Sequence, residues 1–164
     1  MTTSIVSFLA ERLAEIDDEA LVAVAAIANV HPGNARRARA GQPVSTQDCL
    51  ALLAARGFDP VTRKVVRTRR LGPFDHLSLA MGIRMRMTMR KHSLRFAALS
   101  CGASASAFTH MRAGRALGIE NTLKACAYVG VHPFDQCVQP RCPSPHKDRT
   151  MTDDALRRHS DLVN

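Results

Sequence analysis

Apolar residues recur at helical spacing along most of the chain, and the breaks between the runs carry capping and turn residues. Ile5, Phe8, Leu9, Leu13 and Ile16 fall on one face, and Ser4 can cap them, which predicts a helix from Ile5 to Ile16. Asp17 or Asp18 then starts a helix from Glu19 to Ala28, with acidic side chains in the first turn, where the helix dipole favours them. Asn29 tolerates the left-handed conformation that a tight turn needs. A third helix runs from His31 to Ala40, with Pro32 acceptable at its start and Gly41 as its stop. Ser45 caps a fourth through about Arg56, with Leu50 and Leu53 inward, closed by Gly57 and Pro60.

The second half follows the same plan. Asp75 caps a helix to about Lys91, Ser93 precedes Leu94 to Cys101, Gly102 makes the turn, and Ser104 caps Ala105 to Ala113 before Gly114. Ile119 to Val129 is the last helix of the set, closed by Gly130 and Pro133. One stretch conflicts locally. Ile83 to Arg90 alternates apolar and polar residues, which is a strand signal, yet on a helix it gives two stripes, Leu77/Met81/Met85/Met89 and Leu79/Ile83/Met87. Met and Arg are good helix formers, so helix is the reading.

A shift of 73 residues lays one half on the other without a gap. Arg39-Ala40-Gly41 falls on Arg112-Ala113-Gly114, Leu50 on Leu123, Ala54 on Ala127, and Gly57 to Pro60 on Gly130 to Pro133. Leu21 likewise meets Leu94, and Ala25 meets Ala98. In each copy two short helices are joined by a tight turn, the layout of a helix-turn-helix. That motif requires a small residue where the helices cross, a positive-φ residue in the turn, and apolar anchors under the second helix. Ala25, Asn29 and Ala35 with Ala38 meet these demands in one copy; Ala98, Gly102 and Phe108 with Met111 meet them in the other.

Composition narrows the class. Hydrophobic residues are 46% of the 164, enough for a core, while aromatic residues are 4% with no Trp, which suits packed helices better than a β-sandwich or barrel. The longest apolar run, Ala20 to Ala28, is about half of the ~20 residues that cross a bilayer. The first residues include Glu11 and Glu15 and form no basic leader, so neither a membrane nor a secreted protein is expected.

The charge is +9, and its excess is concentrated. Between residues 61 and 91, Arg63, Lys64, Arg67, Arg69, Arg70, Arg84, Arg86, Arg90 and Lys91 face Asp75 alone, a net of +8 that suits a polyanion. Residues 1–60, with five basic and seven acidic side chains, are net −2.

The run Leu94 to Gly114 (LRFAALSCGASASAFTHMRAG), followed by Ile119 to Leu123, resembles the core of the phage repressor/Cro-type (Xre-like) helix-turn-helix family, and residues 5–60 are similar. The first copy departs from the pattern where Asn29 stands for the turn glycine and Pro32-Gly33 opens the third helix. The resemblance implies an all-α fold of two tandem lambda-repressor-like domains of four to five helices, in a pseudo-two-fold arrangement. The corresponding division is 1–60, a basic linker at 61–74, 75–138, and a Pro-rich tail at 139–164 with a short helix from Asp153 to Val163.

The function implied is sequence-specific binding of double-stranded DNA by a regulator of transcription, read in the major groove by the third helix of each copy. Carried over by position, the base-facing residues are Pro32, Gly33, Asn34 and Arg37, with Ala105, Ser106 and His110 in the second copy. Arg37 is the sharpest choice, because a guanidinium bonds two guanine acceptors at once, and Asn34 can pair with adenine. His31, Arg36, Ala40, Ser104, Thr109 and Ala113 would meet the backbone, and Arg63, Lys64, Arg67, Arg69 and Arg70 would follow phosphates or a minor groove as a flexible arm. Neutralising ~6–8 phosphates would make affinity fall steeply with salt. One chain carrying two different readers is a monomeric pseudo-dimer for an asymmetric site, or a homodimer of such units, and its place is the cytoplasm, on the nucleoid.

The rival reading is a protein-interaction module for RNA polymerase or another regulator, favoured by the small side chains of Ala103 to Ala107. No Gly-rich phosphate loop, carboxylate pair or nucleophile with an adjacent base stands out, so no enzyme and no cofactor are expected. The five cysteines read as reduced thiols, three of them inside apolar helical patterns. His132, Cys137, Cys142 and His146 match no common zinc spacing, and no metal is expected.

Overall fold

The computed structural model describes residues 4–138; the tail with its predicted short helix lies outside them. Among the described residues the protein is all-α. Its helices are α1 (Ile5–Ala14), α2 (Asp18–Ala28), α3 (Pro32–Arg39), α4 (Thr46–Arg56), α5 (His76–Arg90), α6 (Leu94–Cys101), α7 (Ala105–Arg112) and α8 (Ile119–Val129). Local chemistry sets their ends. Ser4, Asp17, Ser45, Asp75, Ser93 and Ser104 each accept a backbone N–H of the first turn, which satisfies donors that have no partner inside a helix.

The alternating run Ile83 to Arg90 is helical, inside α5. Three boundaries differ from the sequence reading. α1 stops at Ala14, because Asp17 is needed outside the helix to cap α2, which leaves Ile16 between them. His31 caps α3 from outside, its Nδ1 accepting the Gly33 N–H at 3.1 Å. Pro133 opens a single 3-10 turn, Pro133–Gln136, capped in the same way by His132.

Moved by 73 residues, α3 and α4 land on α7 and α8 residue for residue, and α2 covers α6. The turns coincide too: Asn29 and Gly102, Gly41 and Gly114, and Gly57 and Gly130 all have positive φ. Packing repeats as well. α1 and α2 each pack on α3 and α4, and α3 packs on α4; α5 and α6 pack in the same way on α7 and α8, and α7 on α8. Ala25 and Ala98 are buried where the short helices cross, and Ala35, Ala38, Phe108 and Met111 anchor α3 and α7 from beneath. At Gly82 the contact with α8 is so close that an added Cβ would sit 2.9 Å from a Val129 methyl.

The two sets of helices share one continuous core. α8 packs against both α1 and α4. The amide of Ile5, at the start of α1, donates to Glu120 Oε1 of α8 at 2.8 Å, and the Phe74 amide, just before α5, donates to Gln47 Oε1 of α4 at 2.6 Å. His132 Nε2 and Asp59 Oδ2 lie 2.8 Å apart, and the Thr46 hydroxyl donates to the Leu117 carbonyl.

The segment between α4 and α5 is not a free arm, contrary to the sequence reading of Arg63 to Arg70. The Val66 and Arg69 amides donate to Gly57 and Ala54 carbonyls at 2.7 and 3.1 Å, and Phe58 bridges to Val65. Leu71 and Phe74 are buried in the core. Phe74 also bridges to Cys137, and Val138 donates to the Pro73 carbonyl at 2.8 Å. Gly72 fits under that strand-like contact because it lacks a side chain: a Cβ there would stand 1.9 Å from the Val138 oxygen.

Cys49, Cys101, Cys126 and Cys137 are buried thiols. Burial raises Cys49 and Cys126 to about 12 and Cys137 to about 11, so at neutral pH they stay protonated core residues rather than nucleophiles. No helix among the described residues is long and apolar enough to cross a membrane.

Candidate nucleic-acid interface

Fixing Ala35 and Ala38 inward turns the opposite face of α3 to solvent. Arg36 and Arg37 are exposed there, Pro32, Gly33 and Asn34 are half-buried, and Ala40 is exposed at the end. Two of the predicted readers have partners within the fold. Asn34 Nδ2 donates to Asp48 Oδ2 at 2.9 Å, so the first turn of α4 orients its amide. Arg37 Nη2 donates to the Pro43 carbonyl at 3.0 Å, which uses one of five guanidinium donors and holds the side chain against the α3–α4 loop.

The same construction on Phe108 and Met111 exposes Ala105, Ser106, Thr109 and Ala113 on α7. The Thr109 hydroxyl bonds back to the Ala105 carbonyl at 2.8 Å, and His110 Nδ1 lies 3.3 Å from Arg115 Nη1. His31 and Ser104, at repeat-equivalent positions, both spend a side-chain acceptor on capping. On α3 Pro32 has no N–H and the Gly33, Asn34 and Ala35 amides all donate to His31, so it is the start of α7, where Ser104 takes the Ala107 amide, that suits a phosphate oxygen.

Of the basic segment, Lys64, Arg67, Arg69 and Arg70 are exposed, whereas Arg63 is half-buried with its guanidinium 5.6 Å from the Phe8 ring centre. Arg69 stacks on Phe134 at 4.3 Å. These contacts orient the Arg63 and Arg69 guanidinium groups along the surface.

A basic groove that the sequence reading did not single out lies beside α7. It encloses about 510 Å³ and is lined by Arg84, Lys91, His92, Ser93 and Arg112, with Met87 and Thr88. Arg84 Nε donates to the Arg112 carbonyl at 3.1 Å, which joins α5 to the end of α7. The repeat makes its charge conspicuous. Positions 91 and 112 correspond to 18 and 39, where Asp18 and Arg39 form an ion pair at 2.5 Å. The second half thus places two cations where the first places a neutralised pair. That comparison was available from the 73-residue shift alone, applied to charged positions as well as to turns.

The four residues considered for zinc divide. His132 is paired with Asp59, Cys137 donates to the Pro133 carbonyl, and Cys142 and His146 lie outside the described residues.

Compared with protein-family models, curated proteins and solved structures, the chain finds no match.

Proposed function

We propose that this protein is a sequence-specific double-stranded DNA-binding regulator of transcription. Its two tandem lambda-repressor-like helix-turn-helix units are related by a pseudo-two-fold axis, within one chain and without a cofactor. The observation that carries the reading is that the bounds of α3 and α4 coincide with those of α7 and α8 after a shift of 73 residues, with apolar anchors inward and a polar or small-residue face outward in both.

The two halves divide the work. α3 supplies the discriminating donors, Arg37 and Asn34, each oriented by a contact of its own. α7 offers small side chains that follow shape and thymine methyl groups, while Arg84, Lys91 and Arg112 beside it hold phosphates. Such a regulator works in the cytoplasm, on the nucleoid.

A gel-shift measurement on duplexes selected from a random pool tests this. Arg37→Ala is expected to lose ~1–3 kcal/mol of preference for the selected base at its position while keeping non-specific affinity. Unchanged preference would count against α3 as a reader.

One observation favours a second reading, an interaction module for RNA polymerase or another regulator. The outer stripe of α5, Leu77, Met81, Met85 and Met89, is exposed by 64–76% along its whole length, and an apolar face of that kind commonly marks a protein partner. If that reading holds, a charged substitution at Met85 abolishes partner binding and leaves DNA affinity intact.

A further inference from the structure

One cross-half contact joins residues separated by the repeat length itself, and two more are made by a pair of residues at the same separation. Asp59 and His132 are 73 positions apart, and they touch each other at 2.8 Å. When a residue meets its own repeat equivalent, both lie at the axis relating the copies, because the rotation that exchanges them moves them only across that distance. Gln47 and Glu120 are also 73 apart. Each projects from the fourth helix of its own half and accepts a backbone N–H from the other half, Glu120 that of Ile5, the first residue of α1, at 2.8 Å, and Gln47 that of Phe74, two residues ahead of α5, at 2.6 Å. The pair therefore forms a reciprocal clamp around a central contact.

From these contacts we infer that Asp59, His132, Gln47 and Glu120 are positioning residues that fix the separation and phase of α3 and α7. The chain then accepts its two half-sites at one spacing only. The inference rests on the DNA-binding reading and adds to it the rule by which sites are chosen.

The clamp reaches both readers through rigid steps. Gln47 lies in α4, which packs on α3, and Glu120 in α8, which packs on α7. The connecting segment adds no slack, since Leu71 and Phe74 are buried and its amides are tied to α4 and Gly57. One extra base pair turns B-DNA by about a tenth of a helical turn and lengthens it by ~3.4 Å. Two tethered but independent domains would follow such a change; two clamped ones cannot.

The test uses the full chain and the duplex it selects from a random pool, compared with the same duplex carrying one base pair inserted at its centre. The wild type is expected to bind the inserted duplex at least about tenfold more weakly. The double variant Asp59→Ala/Glu120→Ala is expected to bind both duplexes within about threefold of each other. The single variant Glu120→Gln, which keeps an accepting oxygen, is expected to discriminate between the duplexes as the wild type does. A defect of folding alone would lower binding to both duplexes equally and leave their ratio unchanged.

If the double variant does not fold, Gln47→Ala removes one arm of the clamp and is expected to give a partial loss of discrimination. A wild type indifferent to the insertion, or variants as discriminating as the wild type, would overturn the inference while leaving DNA binding in place. Failure to select any sequence would instead remove the reading on which it stands.

Discussion

The Asp59 carboxylate accepts the Val61 and Thr62 amides and meets His132. Burial acts to raise its pKa, but the Thr62 and Val61 amides, the Thr62 side chain and His132 together outweigh it and hold the carboxyl below its ordinary 3.8. A carboxylate depressed in the folded state adds stability that is fully present above the unfolded pKa. That stability is lost as pH falls through the lower, folded value. The gap in melting temperature between the wild type and Asp59→Asn should therefore shrink as pH falls below 4. A gap that widens in acid would show that the carboxylate is not the stabilising form.

At this scale the sequence was informative about local chemistry and silent about distant chemistry. The capping role of Ser45 or Ser104 needs only the next three residues, so it could be read directly. The acceptor for Ile5 is 115 residues away, and neither Glu120 nor Gln47 advertises its role until the fold brings them across. Asn34 and Arg37 could be proposed as readers from position, but their orienting partners, Asp48 and Pro43, could not.

Among the elements, α5 best shows what periodicity does and does not determine. Both of its stripes were visible, and the period-two pattern of Ile83 to Arg90 is what two helical stripes separated by arginines look like. Which stripe faces the core depends on neighbours. Leu79 and Ile83 are buried with Met87 beside them, whereas Leu77, Met81, Met85 and Met89 face outward. Exposed thioethers oxidise first. Under mild peroxide, Met81, Met85 and Met89 should each form sulfoxide at least ~fivefold faster than the buried Met111, as peptide mass spectrometry would measure. Equal rates would mean that the stripe is covered.

The helices could be placed to within a residue or two because their punctuation is strong: Asn29, Gly41, Gly57, Gly102, Gly114 and Gly130 all take the left-handed turn. The arginines of the segment between α4 and α5 dominate its composition and suggest a flexible arm, yet its amides are tied to Ala54 and Gly57. Two apolar residues, Leu71 and Phe74, suffice to bury its end.

For the whole molecule, the repeat gives the account its unity. The net charge of +9 is unevenly shared, and Asp18–Arg39 against Lys91 and Arg112 shows the asymmetry at equivalent positions. Under the proposed function one half would read bases and the other hold the backbone, with the contacts of Asp59, His132, Gln47 and Glu120 joining them.

The most direct measurement is selection of duplexes by the full chain from a random pool, with the stoichiometry of the complex determined on the winning sequence. A bipartite, asymmetric motif is expected, its halves centred about one helical turn (~34 Å) apart and bound by a single chain. No enriched sequence, or a symmetric motif occupied by two chains, would contradict the account.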